Sequence, residues 1–338
     1  MITTYDYIES NNRKTILLIL LFPLSLLFIL FVLFYLSVLM FPQTGTDNNQ
    51  SVISQVIDSY WIYFVTCIVL SCLWTVISFF QGNSIILNSV KAVKADKADI
   101  PDKEITRILE NVSITAGIQT PNLYILDNEK GLNAFAVGTR KTNSAVILTK
   151  GLTETLDKSE LEAVIAHEVA HILHQDTKLM VVLALLIGFF TYFGSVMFKA
   201  QAVSGRRRSS SSSKSSKGGG IIILIALAFL IYGYIVAPLL RLAVSRTREF
   251  EADAKSALLT RNPQALISAL KKIQKHPIVD RFNSEFNNNE LVAPMCIESP
   301  LRIKVSLFDS LSKLSSTHPP IEERIEALEV MDGRKLDF

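Results

Sequence analysis

Four stretches without a single charged side chain limit what this chain can become. They run from Thr15 to Thr46, from Ser59 to Val90, from Leu179 to Phe198 and from Gly218 to Leu240. A helix needs about 20 apolar residues to cross the hydrocarbon core of a bilayer, and each stretch contains such a run. The first, TILLILLFPLSLLFILFVLFYLSVLMF, is too long for a signal-peptide core and lacks a small-x-small cleavage site after it, so it reads as an uncleaved signal anchor. The second, WIYFVTCIVLSCLWTVISFF, carries aromatics toward both ends, as interfacial belts do. A lipid bilayer is therefore the first partner the chain predicts.

Composition agrees. Of 338 residues, 49% are apolar and only 19% charged, which argues against an ordinary soluble protein. A net charge of +3 is too small to suggest a nucleic-acid binder, and no nucleic-acid partner is expected. Cys67, Cys72 and Cys296 form no zinc or redox motif, and the first two lie in an apolar run, which reads as buried reduced thiols.

Basic residues orient the chain. Arg13 and Lys14 precede the first block, the connection FPQTGTDNNQSVISQVIDSY has no Lys or Arg, and Lys91, Lys94, Lys97, Lys103 and Arg107 follow the second block. The positive-inside rule then places the N-terminus and the chain from about residue 91 in the cytoplasm, with residues 42–59 outside.

Between the blocks the pattern changes. ADIPDKEITRILENVSITAGI has helical spacing and stops at Gly117, LYILD, NAFAVG and SAVILT read as short strands, and NEKG reads as a turn. Asp157 or Ser159 caps the next helix, each with a Glu three positions on. That helix, SELEAVIAHEVAHILHQDTK, meets no Pro or Gly before Gly188 and should run into the third block. GRRRSSSSSKSSKGGG, within residues 205–220, has the composition of a disordered linker. SRTREFEADAKSALLTRN and PQALISALKKIQK read as helices, HPIVDRFNSEFNNNELVAPMCIES as polar and irregular, and THPPIEERIEALEVM as a helix whose start is marked by Pro319 and Pro320. The chain thus divides into an anchor of two transmembrane helices (1–90), a first catalytic part (91–177), the third and fourth apolar segments with their linker (178–244) and a second catalytic part (245–338).

The chemistry concentrates in AVIAHEVAHILHQD. His167 and His171, four apart on a helix, stack on one face and both imidazoles reach one Zn²⁺. Glu168 then stands beside the site, placed to act as general base toward water. His174 is also near but does not complete the set: seven helical residues rise about 10.5 Å, whereas the ligand atoms of one zinc all lie about 2 Å from it. It reads as a surface or interfacial residue. The third ligand must come from elsewhere, and SRTREFEAD offers Glu249, Glu251 and Asp253. Glu249 and Asp253 share a face while Glu251 points away. Glu249 on the metal, with Asp253 accepting from the distal N–H of a ligating histidine, is a natural arrangement.

Together HEVAHILHQD, SRTREFEAD and STHPPIEERI resemble the HtpX-type membrane metallopeptidases, within the wider gluzincin family that includes the CAAX prenyl proteases. The resemblance covers most of the chain, including NAFAVG and the four-block layout. It implies one Zn²⁺ held by His167, His171 and Glu249, Glu168 as catalytic base, and Asp253 and Asp176 as supporting groups. It further implies that Asn133, Ala134, Phe135 and Ala136, in the segment reaching Gly138, form an edge strand along which an extended membrane-protein substrate adds. His318 and Arg324 would approach the site and stabilise the oxyanion. The Ser-rich linker departs from the compact connection usual there.

The fold class expected is a mainly α-helical integral membrane protein carrying a zincin-like α+β metalloprotease domain, with a small edge-strand sheet and about four hydrophobic segments. The function expected is a zinc endopeptidase of a bacterial-type inner membrane, multi-pass, its catalytic domain in the cytoplasm, degrading misfolded or damaged membrane proteins beside a co-operating quality-control protease. Processing of lipidated CAAX tails is disfavoured because those relatives carry more spans around the same motifs. An inactive zinc-containing scaffold is disfavoured by Glu168 beside complete ligands.

His167 and Glu249 share one metal only if both lie on the same side of the membrane, so the third and fourth blocks cross twice or not at all. Two crossings are the simpler reading of block length, although they export Lys199, Arg206, Arg207, Arg208, Lys214 and Lys217 against the positive-inside rule. Two crossings require that a cysteine placed at Ser211 react with a membrane-impermeant maleimide only from outside; reaction only from the cytoplasmic side means a non-crossing pair.

Overall fold

Among the described residues two helices are each long and apolar enough to cross a membrane, and a bent helix pair beginning at Lys158 would make a third if it counts as one span. The two are α1 (Thr4–Met40), with its apolar window at Glu9–Leu36, and α2 (Val52–Ser89), with its window at Tyr60–Ser89. The computed structural model describes residues 4–40, 52–97, 103–140, 142–186, 188, 247–275, 292, 295–297 and 319–333. The fourth apolar block, most of the third, the Ser-rich linker and His318 lie outside the described residues.

Described residues within Ile16–Ser78 and Leu185–Leu239 form one compact unit. In it α1 and α2 pack through Leu30, Phe34, Val38, Val56 and Tyr60, with the Phe34 and Tyr60 rings stacked 4.3 Å apart. Their other faces expose Leu20, Leu24, Phe28, Ile62, Val69 and Phe80 among many apolar side chains, a surface that water would not tolerate and lipid would. Cys72 is on that exposed face and not buried as its apolar setting suggested, since a helix buries only the side that meets a neighbour.

The other unit gathers described residues within Met1–Thr15, Phe79–Ala184 and Leu240–Phe338. Its sheet has the order β1-β2-β4-β3, with β1 (Val93–Lys94), β2 (Asn122–Leu126), β3 (Ala134–Arg140) and β4 (Asn143–Thr149). β2 and β4 are parallel, the outer pairs are antiparallel, and β3 lies at the edge, as NAFAVG suggested. The two-residue β1 is too short to leave a sequence signature. α3 (Lys103–Ala116) ends where Gly117 takes φ +68°, a left-handed conformation that glycine adopts without a Cβ penalty.

After a short α4 (Lys150–Thr155) comes α5 (Lys158–Leu173), the centre of the unit. Asp157 is its N-cap and forms a full capping box with Glu160, which decides between the two caps the sequence offered. Glu160 is itself buried, with Lys272 Nζ and Ser268 Oγ both at 2.6 Å. Ala163, Val164, Ile165, Ala166, Val169 and Ala170 are fully enclosed. They sit against α3, β3, β4, α7 (Thr247–Thr260) and α8 (Pro263–Lys275). Each larger side chain so buried contributes about 1.5–3 kcal/mol. The last described helix is α9 (Ile321–Met331), which begins after Pro320.

The continuous helix expected through His174 does not form. α5 stops at Leu173, Gln175 takes φ +58°, and α6 (Asp176–Leu186) leaves at 78°. No glycine is needed because the tertiary bonds of Asp176, described below, hold the turn. Replacing Asp157 with Ala should lower stability by about 1 kcal/mol, read as a drop in thermal melting temperature in detergent.

Candidate metal centre

α5 carries His167, Glu168 and His171 on turns buried on nearly every side, and α7 brings Glu249 in its first turn. The two helices are fastened where Ser256 Oγ donates to the Ala163 carbonyl at 2.7 Å. His167 Nε2 and His171 Nε2 lie 3.2 Å apart. Glu249 Oε1 is 3.6 Å from His171 Nε2, and its Oε2 is 3.8 Å from His167 Nε2. One ligand atom from each of these residues falls within 4.8 Å of the others.

These separations suit a small tetrahedral dication. Two nitrogens each about 2.0–2.1 Å from zinc at the tetrahedral angle are about 3.3 Å apart. The far sides of both rings support the same reading. His171 Nδ1 is 2.9 Å from Asp176 Oδ2, and His167 Nδ1 is 2.9 Å from Asp253 Oδ1, the second contact bent away from good hydrogen-bond alignment. Carboxylates at Nδ1 favour a proton there and turn both Nε2 atoms toward one point. So close an approach calls for a cation, either the proton that His171 carries or a metal ion.

Electrostatics is severe because the groups are dry. Burial pushes the Glu168 carboxyl up to about 8, helped by Glu249. Burial lowers His167, whereas for His171 it is outweighed by the Asp176 hydrogen bond and by Glu249, which hold it at about 9. Burial alone would raise Asp253, but Arg324 and His167 hold its carboxyl below the ordinary range. His167, His171 and Glu249 would hold a dication, whose charge would favour the ionised Glu168 and stand in for the proton on His171.

Glu168 accepts a hydrogen bond from the Ala136 backbone N–H, while its Oε2 is buried with no hydrogen-bond partner. Ala134, Ala136 and Gly138 turn their peptide groups to the outer edge of β3. There the Ala134 carbonyl accepts from Ile297 N–H at 3.1 Å, and the Gly138 carbonyl from Thr177 Oγ1 at 3.0 Å. Asn133 precedes the strand and is tied to Thr149, and Phe135 faces the interior, fully buried.

Arg324, fully enclosed on α9, donates from Nε and Nη2 to the two oxygens of Asp253 at 2.8 and 2.7 Å. Its Nη2 is 3.4 Å from His167 Nε2 and its Nη1 is 3.6 Å from Glu249 Oε2. It thus reaches the centre, as the HPP segment suggested. His174 is the C-cap of α5 and stands outside the ligand set. It is buried and not at the surface as expected, because the turn at Gln175 folds it inward and its carbonyl accepts from Asn11. Glu251, partly exposed, is not in the ligand set either.

Three participants were not anticipated. Arg248 Nη1 donates to Asp176 Oδ1 at 3.2 Å, Asn11 Nδ2 donates to the same oxygen at 2.7 Å, and Ile297 closes on β3. Arg248 adjoins Glu249 and was a readable hint. Nothing local distinguishes Asn11 or Ile297.

Two histidines and a glutamate gathered on two helices, a neighbouring carboxylate held by an edge strand, and two membrane-length helices define a membrane-anchored metallohydrolase. The family model for Peptidase family M48 matches residues 99–332. Over 332 residues the chain is 34% identical to a Protease HtpX homolog of Dictyoglomus thermophilum, covering 98% of this chain and 96% of that one. A Protease HtpX homolog of Dictyoglomus turgidum is 38% identical over 254 residues, 75% and 77% of the two chains. One from Bacteroides fragilis is 34% identical over 256 residues, 76% of each. The crystal structure of S. mikatae Ste24p aligns with 19% identity and a TM-score of 0.42, over 88% of this chain and 61% of that one. The chain belongs to Peptidase family M48, and it is a membrane metalloprotease, a hydrolase of peptide bonds.

Removing one partner of a buried ion pair strands the other. Arg324→Met should therefore destabilise the metal-free protein by about 3–5 kcal/mol, measured by thermal melting against the wild type.

Proposed function

We propose that the protein is a zinc endopeptidase that cuts misfolded or damaged membrane proteins at the cytoplasmic face of a bacterial-type inner membrane. What supports this most is one arrangement. The 3.2 Å approach of the two imidazole nitrogens, with Glu249 beside them, meets a buried Glu168 anchored on an edge strand. The two membrane-length helices and the basic residues flanking the first two apolar blocks support the location.

In this reading His167, His171 and Glu249 hold one zinc ion. The ion supplies Lewis acidity toward the scissile carbonyl and lowers the pKa of attacking water. The rest falls to the chain. Glu168 accepts the proton as water attacks and returns it to the leaving amine, and the Ala136 N–H keeps the carboxylate on the strand side. An extended substrate pairs with the outer edge of β3, taking over the Ala134 carbonyl from Ile297, so its backbone is aligned before cleavage. Arg324 keeps Asp253 ionised against His167 and adds positive charge beside the site, where the carbonyl oxygen becomes negative. His318 is assigned the same supporting role on sequence resemblance. A co-operating membrane protease would take the fragments further.

Glu168→Gln should retain zinc at one ion per chain while cleavage of a membrane-protein substrate falls by at least about 10²-fold. Chelation of the wild type should abolish cleavage, and zinc should restore it. Cleavage that persists in Glu168→Gln overturns the assignment of the base, and metal without turnover of casein or any membrane protein favours a scaffold.

A further inference from the structure

The first membrane helix begins inside the catalytic unit. Residues of α1 up to Thr15 belong to the same compact unit as the metal centre, and Asn11 among them is only 3% exposed. Its Nδ2 spends both hydrogens on the turn that ends α5, donating to Asp176 Oδ1 at 2.7 Å and to the His174 carbonyl at 3.2 Å. Arg248 Nη1, one residue before Glu249, meets the same Oδ1 at 3.2 Å. The other oxygen of Asp176 faces His171 Nδ1 at 2.9 Å.

The two oxygens of Asp176 are therefore divided. Oδ1 is held by α1 and α7, and with it held, Oδ2 has one place to go, the distal nitrogen of a metal ligand. Asp176 opens α6 just after the left-handed Gln175, where the carboxylate needs outside bonds to fix its direction. A buried amide costs free energy unless paired. Asn11 is paired where it can steer this carboxylate, whereas its neighbour Asn12 turns to Lys178 Nζ at 2.8 Å.

We infer that Asn11 is a positioning residue of the metal centre: by orienting Asp176 it sets the tautomer and direction of His171, so that α1 is part of the site as well as an anchor. The inference rests on the metal-centre reading above. It concerns metal affinity and coordination geometry, which are measured without proteolysis.

The test uses full-length protein in detergent. Asn11→Leu removes the donor at similar volume, and Asn12→Leu is the control for disturbance of the same helix turn. Zinc affinity is measured by chelator competition, and geometry by the visible absorption of the cobalt-substituted protein. Asn11→Leu should weaken zinc about tenfold and shift the cobalt bands, while Asn12→Leu changes neither. In an Asp176→Ala background Asn11→Leu should add no further loss, because both act on one bond. If Asn11→Leu does not fold, Asn11→Asp carries the same test, since it sets an acceptor against Asp176 and should weaken zinc at least as much. Unchanged affinity and spectrum, an equal loss in Asn12→Leu, or additivity with Asp176→Ala overturns the inference. Failure of the wild type to bind zinc would overturn the metal-centre reading itself.

Discussion

Two carboxylate–imidazole contacts carry this site. Asp253 meets the outer nitrogen of His167 and Asp176 that of His171, and the inner nitrogens lie 3.2 Å apart. In water such contacts would be worth little. Here His167, Asp253 and Asp176 are buried and His171 nearly so, so the groups either pair well or impose a large desolvation cost. Each carboxylate is in turn held by an arginine, Asp253 by Arg324 and Asp176 by Arg248. The packing around α5 thus serves two ends: it excludes water from these ions and fixes the directions in which they bond. Ionised groups are retained at a place where apolar side chains would stabilise the fold more cheaply, which is a mark of a functional site.

The end of α5 shows how the fold and the site depend on each other. Residues 159–186 contain no helix breaker, yet the helix breaks after Leu173 and turns through 78°. The left-handed Gln175 costs roughly 1 kcal/mol or more in backbone strain. In return the Asp176 carboxylate turns back toward His171 and meets Arg248 and Asn11. An unbroken helix would rotate Asp176 about 140° from His171, five residues at 100° each. The break is therefore a consequence of tertiary bonding that overrides local propensity.

The edge strand has a comparable logic. β3 was readable from NAFAVG, and its outer edge pairs with no other strand of the described sheet although its residues up to Thr139 are buried. The chain already uses part of that edge: Ile297, Thr177 and Glu168 each bond to an outward peptide group. These bonds keep an apolar strand from pairing indiscriminately, and they hold Glu168 at the spot where an aligned peptide would need a base.

By itself the sequence determined the apolar helices α1 and α2, the 3.6-residue spacing that puts His167 and His171 on one face, the shared face of Glu249 and Asp253, and three of the four described strands. All of these depend on neighbours a few residues apart, where periodicity and capping act. Tertiary structure alone decided that α5 breaks at His174–Gln175, that His174 is buried, that Arg324 clamps Asp253, and that Asn11, 165 residues from Asp176 along the chain, reaches the same carboxylate as Arg248. Such contacts are set by where separate helices converge and by the cost of burying a charge alone, and neither quantity is written in any short stretch of residues.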